Sequence, residues 1–126
     1  MRLLLDSHVA LWWLVDSTDL GPVSRAEIAV ATEVFFSPVS PWELGIKRAL
    51  GRLQMPDGFP DELLQSGFRE LAITSVHAAS AADLPPHHRD PFDRMLIAQA
   101  NAEALTLVTA DVAIGAYEVA TLDART

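Results

Sequence analysis

The sequence contains no cysteine. Disulfides and thiolate metal sites are therefore excluded, and the chain suits a reducing cytoplasm. No apolar run approaches the roughly 18–20 uninterrupted residues that a membrane span requires. The opening MRLLLDSHVALWWLV superficially resembles a secretion signal, but Asp6 and His8 interrupt it and no small-residue cleavage pattern follows. It reads instead as part of the folded chain. Basic residues are scarce: nine Lys and Arg stand against seventeen Asp and Glu, a formal net charge of −8. That balance is poor for gripping phosphates, so a nucleic-acid substrate would need local cations and a bound metal to offset it. An acidic chain with exposed apolar area also suits a basic protein partner. No repeat, low-complexity tract or linker divides the 126 residues, and one domain spanning 1–126 is expected.

What is present is half apolar by composition, with a mean hydropathy of +0.21, enough for a real core. The chain is organised around 87–111, HHRDPFDRMLIAQANAEALTLVTAD. Asp90-Pro91-Phe92-Asp93 opens a helix with a cap, a proline and a carboxylate three residues after the cap. At about 100° per residue, Leu96, Ile97, Ala100 and Ala104 fall on the same side as Asp93, while Arg94 and Asn101 project elsewhere. Asp93 thus belongs to the apolar stripe, where a carboxylate is expensive unless a cation or hydrogen-bond donor meets it. A strand at 105–109 follows and leads to Asp111.

Elsewhere, 2–5 and 34–36 read as short buried strands, and 71–73 as strand-like. Helices are expected over 9–15, 22–32, 38–51, 61–68, 75–84 and 112–116, with Tyr117-Glu118-Val119 closing the domain. In the third of these, Ser40 is the expected cap, with Glu43 completing a capping box, and Gly51 ends it. Ser75 is the expected cap of the fifth. Apolar residues crowd nearly all sides of 9–15, more than one core face uses, so one side suits an interface. The β–α–β–α alternation predicts an α/β fold with a mostly parallel sheet covered by helices on both faces.

In such sheets ligands bind beyond the carboxyl ends of the strands. Asp6 follows the first strand and Asp111 the 105–109 strand, while Glu43 and Asp93 lie in first turns of helices. All four belong at one sheet edge. Each also has an ordinary explanation as a helix cap, and Asp90 is best read that way. Clustered, four carboxylates raise one another's pKa. A divalent cation such as Mg²⁺ or Mn²⁺ relieves that conflict and suits phosphoryl chemistry. His87 and His88 are adjacent and loop-borne, without zinc-helix spacing, and are not expected to be ligands. Lys47, Arg48 and Arg52 cluster near Glu43, as a solvated face or as phosphate contacts. Ser7 and Thr109 are hydroxyls placed to orient carboxylates or water, or to act as caps.

LLLDSHVALWW, SPVSPWELGIK with its trailing GRL, HHRDPFDRMLIAQA and LTLVTAD occur in order, nearly end to end. Together they resemble a PIN-domain ribonuclease, specifically a VapC-type toxin of a type II toxin–antitoxin system. The resemblance implies a PIN-like three-layer α/β/α fold and a metal-dependent endoribonuclease with Asp6, Glu43, Asp93 and Asp111 as its acidic set. It also implies a cognate antitoxin that occludes the site, and a homodimer. On this reading Asp6 and Asp93 hold Mg²⁺ or Mn²⁺, Asp111 completes the metal site directly or through water, and Glu43 positions or deprotonates the attacking water. Lys47, Arg48 and Arg52, with Arg89 or Arg94, would hold the RNA backbone.

Two rivals come from other classes. A phosphatase of the haloacid type needs a second Asp two residues after the first, where this chain has His8. A receiver domain needs paired acids after strand one and a late Lys, and neither is present. A non-catalytic α/β interaction module treats every acid as cap or surface charge, and predicts no metal-dependent change in thermal stability.

Overall fold

The first strand, β1 (Arg2–Leu5), carries three consecutive leucines with no accessible surface. Such a run fits only a central strand whose two faces are both covered. The computed structural model, which describes residues 1–126, builds the sheet around it. The other strands are β2 (Glu33–Phe36), β3 (Arg69–Glu70), β4 (Thr106–Thr109) and β5 (Thr121–Asp123). Their order is β3-β2-β1-β4-β5 and every pairing is parallel. Strand alternation divides the core in two. Leu3, Leu5, Val34, Phe36 and Val108 enter one cluster, and Leu4, Phe35 and Leu107 the other.

Six helices cover these faces. The first cluster is closed by α1 (Ser7–Leu14), α2 (Pro22–Val30), α4 (Phe59–Gln65) and Leu44 of α3 (Val39–Ala49). The second is closed by Leu96, Ile97 and Ala100 of α6 (Pro91–Ala102), against which α5 (Ser75–Asp83) packs. Strand order reverses between β1 and β4: the chain moves outward through β2 and β3, then returns to the other side of β1. Right-handed crossovers therefore place the earlier and later helices on opposite faces. The reversal opens a crevice beyond the ends of β1 and β4.

Several local expectations are corrected. The helix at 38–51 starts at Val39 without the Ser40 cap, because Ser37 Oγ takes the Val39 N–H at 3.2 Å. Ser40 is then buried inside the helix and accepts from Ser7 Oγ at 3.2 Å, so no capping box engages Glu43. The strand expected at 71–73 lies at Arg69–Glu70, beside Phe35 and Phe36. Buried Phe68 anchors that entry. Thr74, not Ser75, caps α5, in a reciprocal box with His77. The helix expected at 61–68 begins at Phe59, directly after Gly58 in the left-handed region (φ 70°). The last element is a strand not foreseen, Thr121–Asp123, past the Tyr117-Glu118-Val119 stretch expected to close the domain, and its mixed exposure carries no apolar run to announce it. Ala104 leaves the helical stripe, because α6 ends at Ala102 and Ala104 turns the chain at φ 55°.

Two features frame the crevice. Residues 123–126 fold back onto the start of α2, where no side chain caps the helix. Gly21 and Val23 N–H donate to the carbonyls of Ala124 (2.8 Å) and Thr126 (2.9 Å), and Ser24 Oγ donates to that of Asp123 at 2.6 Å. The tail backbone thus supplies acceptors to the exposed first turn. On α3, the apolar side chains of Trp42, Ile46 and Leu50 share one side, and that side faces solvent. Of the crowded apolar residues in α1, Trp13 is half-covered by Phe68 and the Arg25 guanidinium.

Candidate active site

Each of the four acids is delivered by a different piece of local structure. Asp6 leaves β1 in an extended conformation and caps α1, accepting from Ser7 N–H at 2.6 Å through Oδ1. Its Oδ2 accepts from Thr109 Oγ1 at 2.7 Å. Thr109 ends β4, and the same hydroxyl accepts from Asp111 N–H at 3.0 Å. One hydroxyl therefore clasps the ends of β1 and β4 together. Asp111 Oδ1 caps the 3-10 helix Val112–Ala116 through Ala113 N–H at 2.9 Å, leaving Oδ2 turned to the crevice.

On α6, Asp90 takes the cap, accepting from Phe92 and Asp93 N–H at 2.8 and 3.3 Å, as expected. Asp93 is thereby released from capping and lies buried at the head of the helix. Glu43 approaches from α3, also buried, with Oε2 held by Lys47 one turn along at 3.2 Å. Its Oε1 is buried without a hydrogen-bond partner. Asp6, Glu43, Asp93 and Asp111 line a single cleft of about 350 Å³, together with His8, Trp12, Lys47, Asp90 and Arg125.

The electrostatics are those of an uncompensated cluster. Burial pushes the Asp93 carboxyl up to about 8, and the charges of Asp6, Asp90, Glu43 and Asp111 add to it. Burial also raises Asp6, only partly opposed by the hydrogen bonds from Thr109 and Ser7. For Asp111, burial is outweighed by hydrogen bonds from Ala113 N–H and His88, which hold it below the usual carboxylate range. His88 Nε2 lies 2.7 Å from Asp93 Oδ2 and 3.2 Å from Asp111 Oδ2. Burial lowers its pKa, but bonding to those two acids prevails and leaves it above the ordinary imidazole value.

The chain and its fold are matched in proteins of known family. The PIN domain family matches residues 3–120. The chain belongs to it. The PIN-domain chain is 34% identical over 111 residues to Ribonuclease VapC22 of Mycobacterium tuberculosis (strain ATCC 25618 / H37Rv), covering 86% of this chain and 85% of that one. Its fold is similar to VapBC2 from Rickettsia felis bound to a DNA fragment from its promoter, with a TM-score of 0.71, 13% identity and coverage of 97% and 98%. It is also similar to FitAcB from Neisseria gonorrhoeae, with a TM-score of 0.63, 22% identity and coverage of 96% of each chain. The three-layer α/β/α architecture expected of a PIN domain is the one observed.

The donor set of this PIN domain fits a hard divalent cation. It offers converging carboxylate oxygens, with those of Asp93 and Asp111 within 4.8 Å of each other, and an unpartnered buried oxygen on Glu43. Of the hydroxyls, Thr109 orients Asp6 as expected, whereas Ser7 turns to Ser40 and reaches Asp6 only through its backbone. The basic residues divide. Lys47 lines the cleft, while Arg48 pairs with Asp57 and Arg52 lies exposed. Arg94 is committed elsewhere: its guanidinium donates to the carbonyls of Ala81, Ala82, Leu84, Pro85 and His88.

Two residues at the cleft escaped the sequence reading. Arg125 stacks over Trp12 at 5.0 Å and lines both this cleft and a neighbouring one of about 450 Å³. Nothing in the sequence signals that, since it depends on the tail folding onto α2. His88 was set aside for lack of helical ligand spacing. The stiff Pro85-Pro86 pair just before it, and a buried acid five residues on, are the signal that was there.

Proposed function

We propose that this PIN domain is a metal-dependent endoribonuclease, the toxin of a VapBC-type pair, working with Mg²⁺ or Mn²⁺ in the cytoplasm. The observation that carries the reading is the meeting of four carboxylates from distant segments in one cleft, with Glu43 Oε1 left unpartnered. The ribonuclease name of the Mycobacterium relative supports the choice of RNA. Asp6 and Asp93 would hold the cation, with Asp111 completing the set directly or through water. When bound, the cation neutralises the clustered charge and polarises a phosphate oxygen.

The chain's own groups supply the rest. Lys47 fixes Glu43 Oε2, leaving the buried and unpartnered Oε1 as the oxygen that would orient a water and accept its proton as the water oxygen bonds to phosphorus, while the P–O bond to the leaving ribose oxygen breaks and that oxygen takes a proton from solvent. Thr109 keeps Asp6 in register with Asp111. Lys47 and Arg125, the cations that line the cleft, would meet RNA phosphates there, with Arg52 and Arg89 farther along the strand. Arg48 and Arg94 are less available, each already engaged within the fold. A cognate antitoxin and a second copy of the chain are the proposed partners, and the exposed Trp42–Ile46–Leu50 side offers apolar area to bury.

Asp6→Asn keeps shape and removes charge. With Mg²⁺ and total RNA, the folded variant is expected to lose cleavage by about 100-fold or more, and chelator to silence the parent. A variant that cut RNA as well as the parent would refute the assignment.

A further inference from the structure

Two links between the acids run through a single intervening group: Thr109 joins Asp6 to Asp111, and His88 joins Asp93 to Asp111. The second is the less expected. Asp93 sits at the head of α6 and Asp111 beyond β4, and their facing oxygens share the single Nε2 position of His88, at 2.7 and 3.2 Å. The other ring nitrogen, Nδ1, accepts from Asp90 N–H at 3.5 Å. With Nδ1 turned toward that N–H, Nε2 is the ring atom that faces the two carboxylates.

The position of the ring is built by backbone contacts. His88 N–H donates to the Tyr117 hydroxyl at 2.8 Å, and that hydroxyl donates to Pro85 carbonyl at 2.8 Å. Arg94 ties down the preceding turn through the carbonyls of Leu84 (2.8 Å), Ala81 (2.9 Å), Pro85 (3.0 Å) and His88 (3.2 Å). A half-buried arginine with a fork of donors is well suited to freezing a loop by its carbonyls. Tyr117 is itself buried in the second core cluster. The loop is thus anchored to the core at both edges of His88, while the His87 ring packs outside it against Tyr117.

We propose that His88 is a positioning residue: it sets the spacing and orientation of Asp93 and Asp111 so that the two present as a pair, with Tyr117 and Arg94 fixing it in place. This rests on the metal-dependent reading above. His88 does not ligate the cation. Its Nε2 stands between Asp93 Oδ2 and Asp111 Oδ2 and fixes the distance between two acids that would otherwise repel each other, as hydrogen-bond partners of metal ligands commonly do.

The test is Mn²⁺ binding to the full chain, followed by electron paramagnetic resonance, alongside RNA cleavage. His88→Ala is expected to weaken Mn²⁺ by about 10–100-fold, and to lower kcat with KM for RNA little changed. His88→Gln, whose amide N–H reaches toward the same two oxygens, is expected to recover most of the affinity. Tyr117→Phe, which removes the anchor but not the ring, should fall between them and keeps the test open if His88→Ala does not fold. Unchanged or tighter Mn²⁺ binding in His88→Ala would overturn the proposal, the latter because the ring would then be competing with the cation. Failure of Gln to rescue, or nitrogen coupling to bound Mn²⁺ in the parent, would overturn it by making His88 a ligand. Asp6→Asn separates the two readings. If it abolishes Mn²⁺ binding while His88→Ala matches the parent, only the His88 proposal falls; if the parent binds no Mn²⁺, both do.

Discussion

Replacing Asp93 by Asn should stabilise the metal-free protein while disabling it. The Asp93 carboxyl is pushed from 3.8 up to about 8 by burial and by the acids around it. Below about pH 4 the folded and unfolded chains both hold this proton. Above it the unfolded chain releases the proton and the folded chain keeps it, so stability falls as pH climbs toward about 8. At about 1.4 kcal/mol per pH unit, the ceiling on that loss is about 6 kcal/mol. An amide recovers only part of it. His88 already donates to Oδ2 at 2.7 Å, and the first turn of α6 favours a negative charge by up to about 1 kcal/mol. A gain of about 2 kcal/mol at pH 8 is expected, or about 8 °C in Tm for a chain of this size. The gain should shrink as pH is lowered toward about 4. Calorimetry in chelator at pH 5 and pH 8 reads it directly, and added Mn²⁺ should raise the Tm of the parent but not of the variant. If Asp93→Asn melts below the parent by the same margin at both pH values, the carboxylate is not in conflict with its neighbours and the argument fails.

Other substitutions probe the supports. Thr109→Val leaves buried Asp6 Oδ2 and Asp111 N–H without a shared partner; it should cost about 1–3 kcal/mol in urea unfolding and depress cleavage, with Thr109→Ser restoring both. Arg94→Lys cannot reach five carbonyls and should cost about 2–4 kcal/mol, visible as faster amide exchange across 81–88. In Gly21→Ala the new Cβ would lie 2.2 Å from the Thr126 carbonyl carbon and 2.4 Å from Arg125 O. The tail must then lift, at about 1–3 kcal/mol, and limited proteolysis should release residues 123–126 while β1–β4 pairing persists.

The parts of the fold that could be read in advance are those where local chemistry and burial agree. Leu3-Leu4-Leu5 and Leu105 to Thr109 could only be central strands, and Asp90-Pro91 could only open a helix. From their alternation with helices the parallel sheet and the edge that gathers the acids both follow. What escaped depends on contacts that no short window contains. β3 is two exposed residues held by pairing to Phe35 and Phe36, and β5 is three residues with no apolar pattern. Ser37 took the role expected of Ser40 because Ser40 was needed against Ser7, 33 residues away. For the site, Asp6, Asp93 and Asp111 were legible because each sits at an element end, a position the sequence marks, whereas Glu43, expected in a first turn, lies a turn inside α3. Their partners were not: His88 is aimed by Tyr117 and Arg94, and Arg125 by the fold-back onto α2.

The Thr109 clasp has a consequence in time. Asp6 is made 103 positions ahead of its partner. Until β4 has emerged and docked beside β1, there is no crevice between diverging strands, only a loose acid at the start of a half-built sheet. A growing polypeptide of this design holds no assembled acidic cleft until the segment that carries Thr109 and Asp111 has been made.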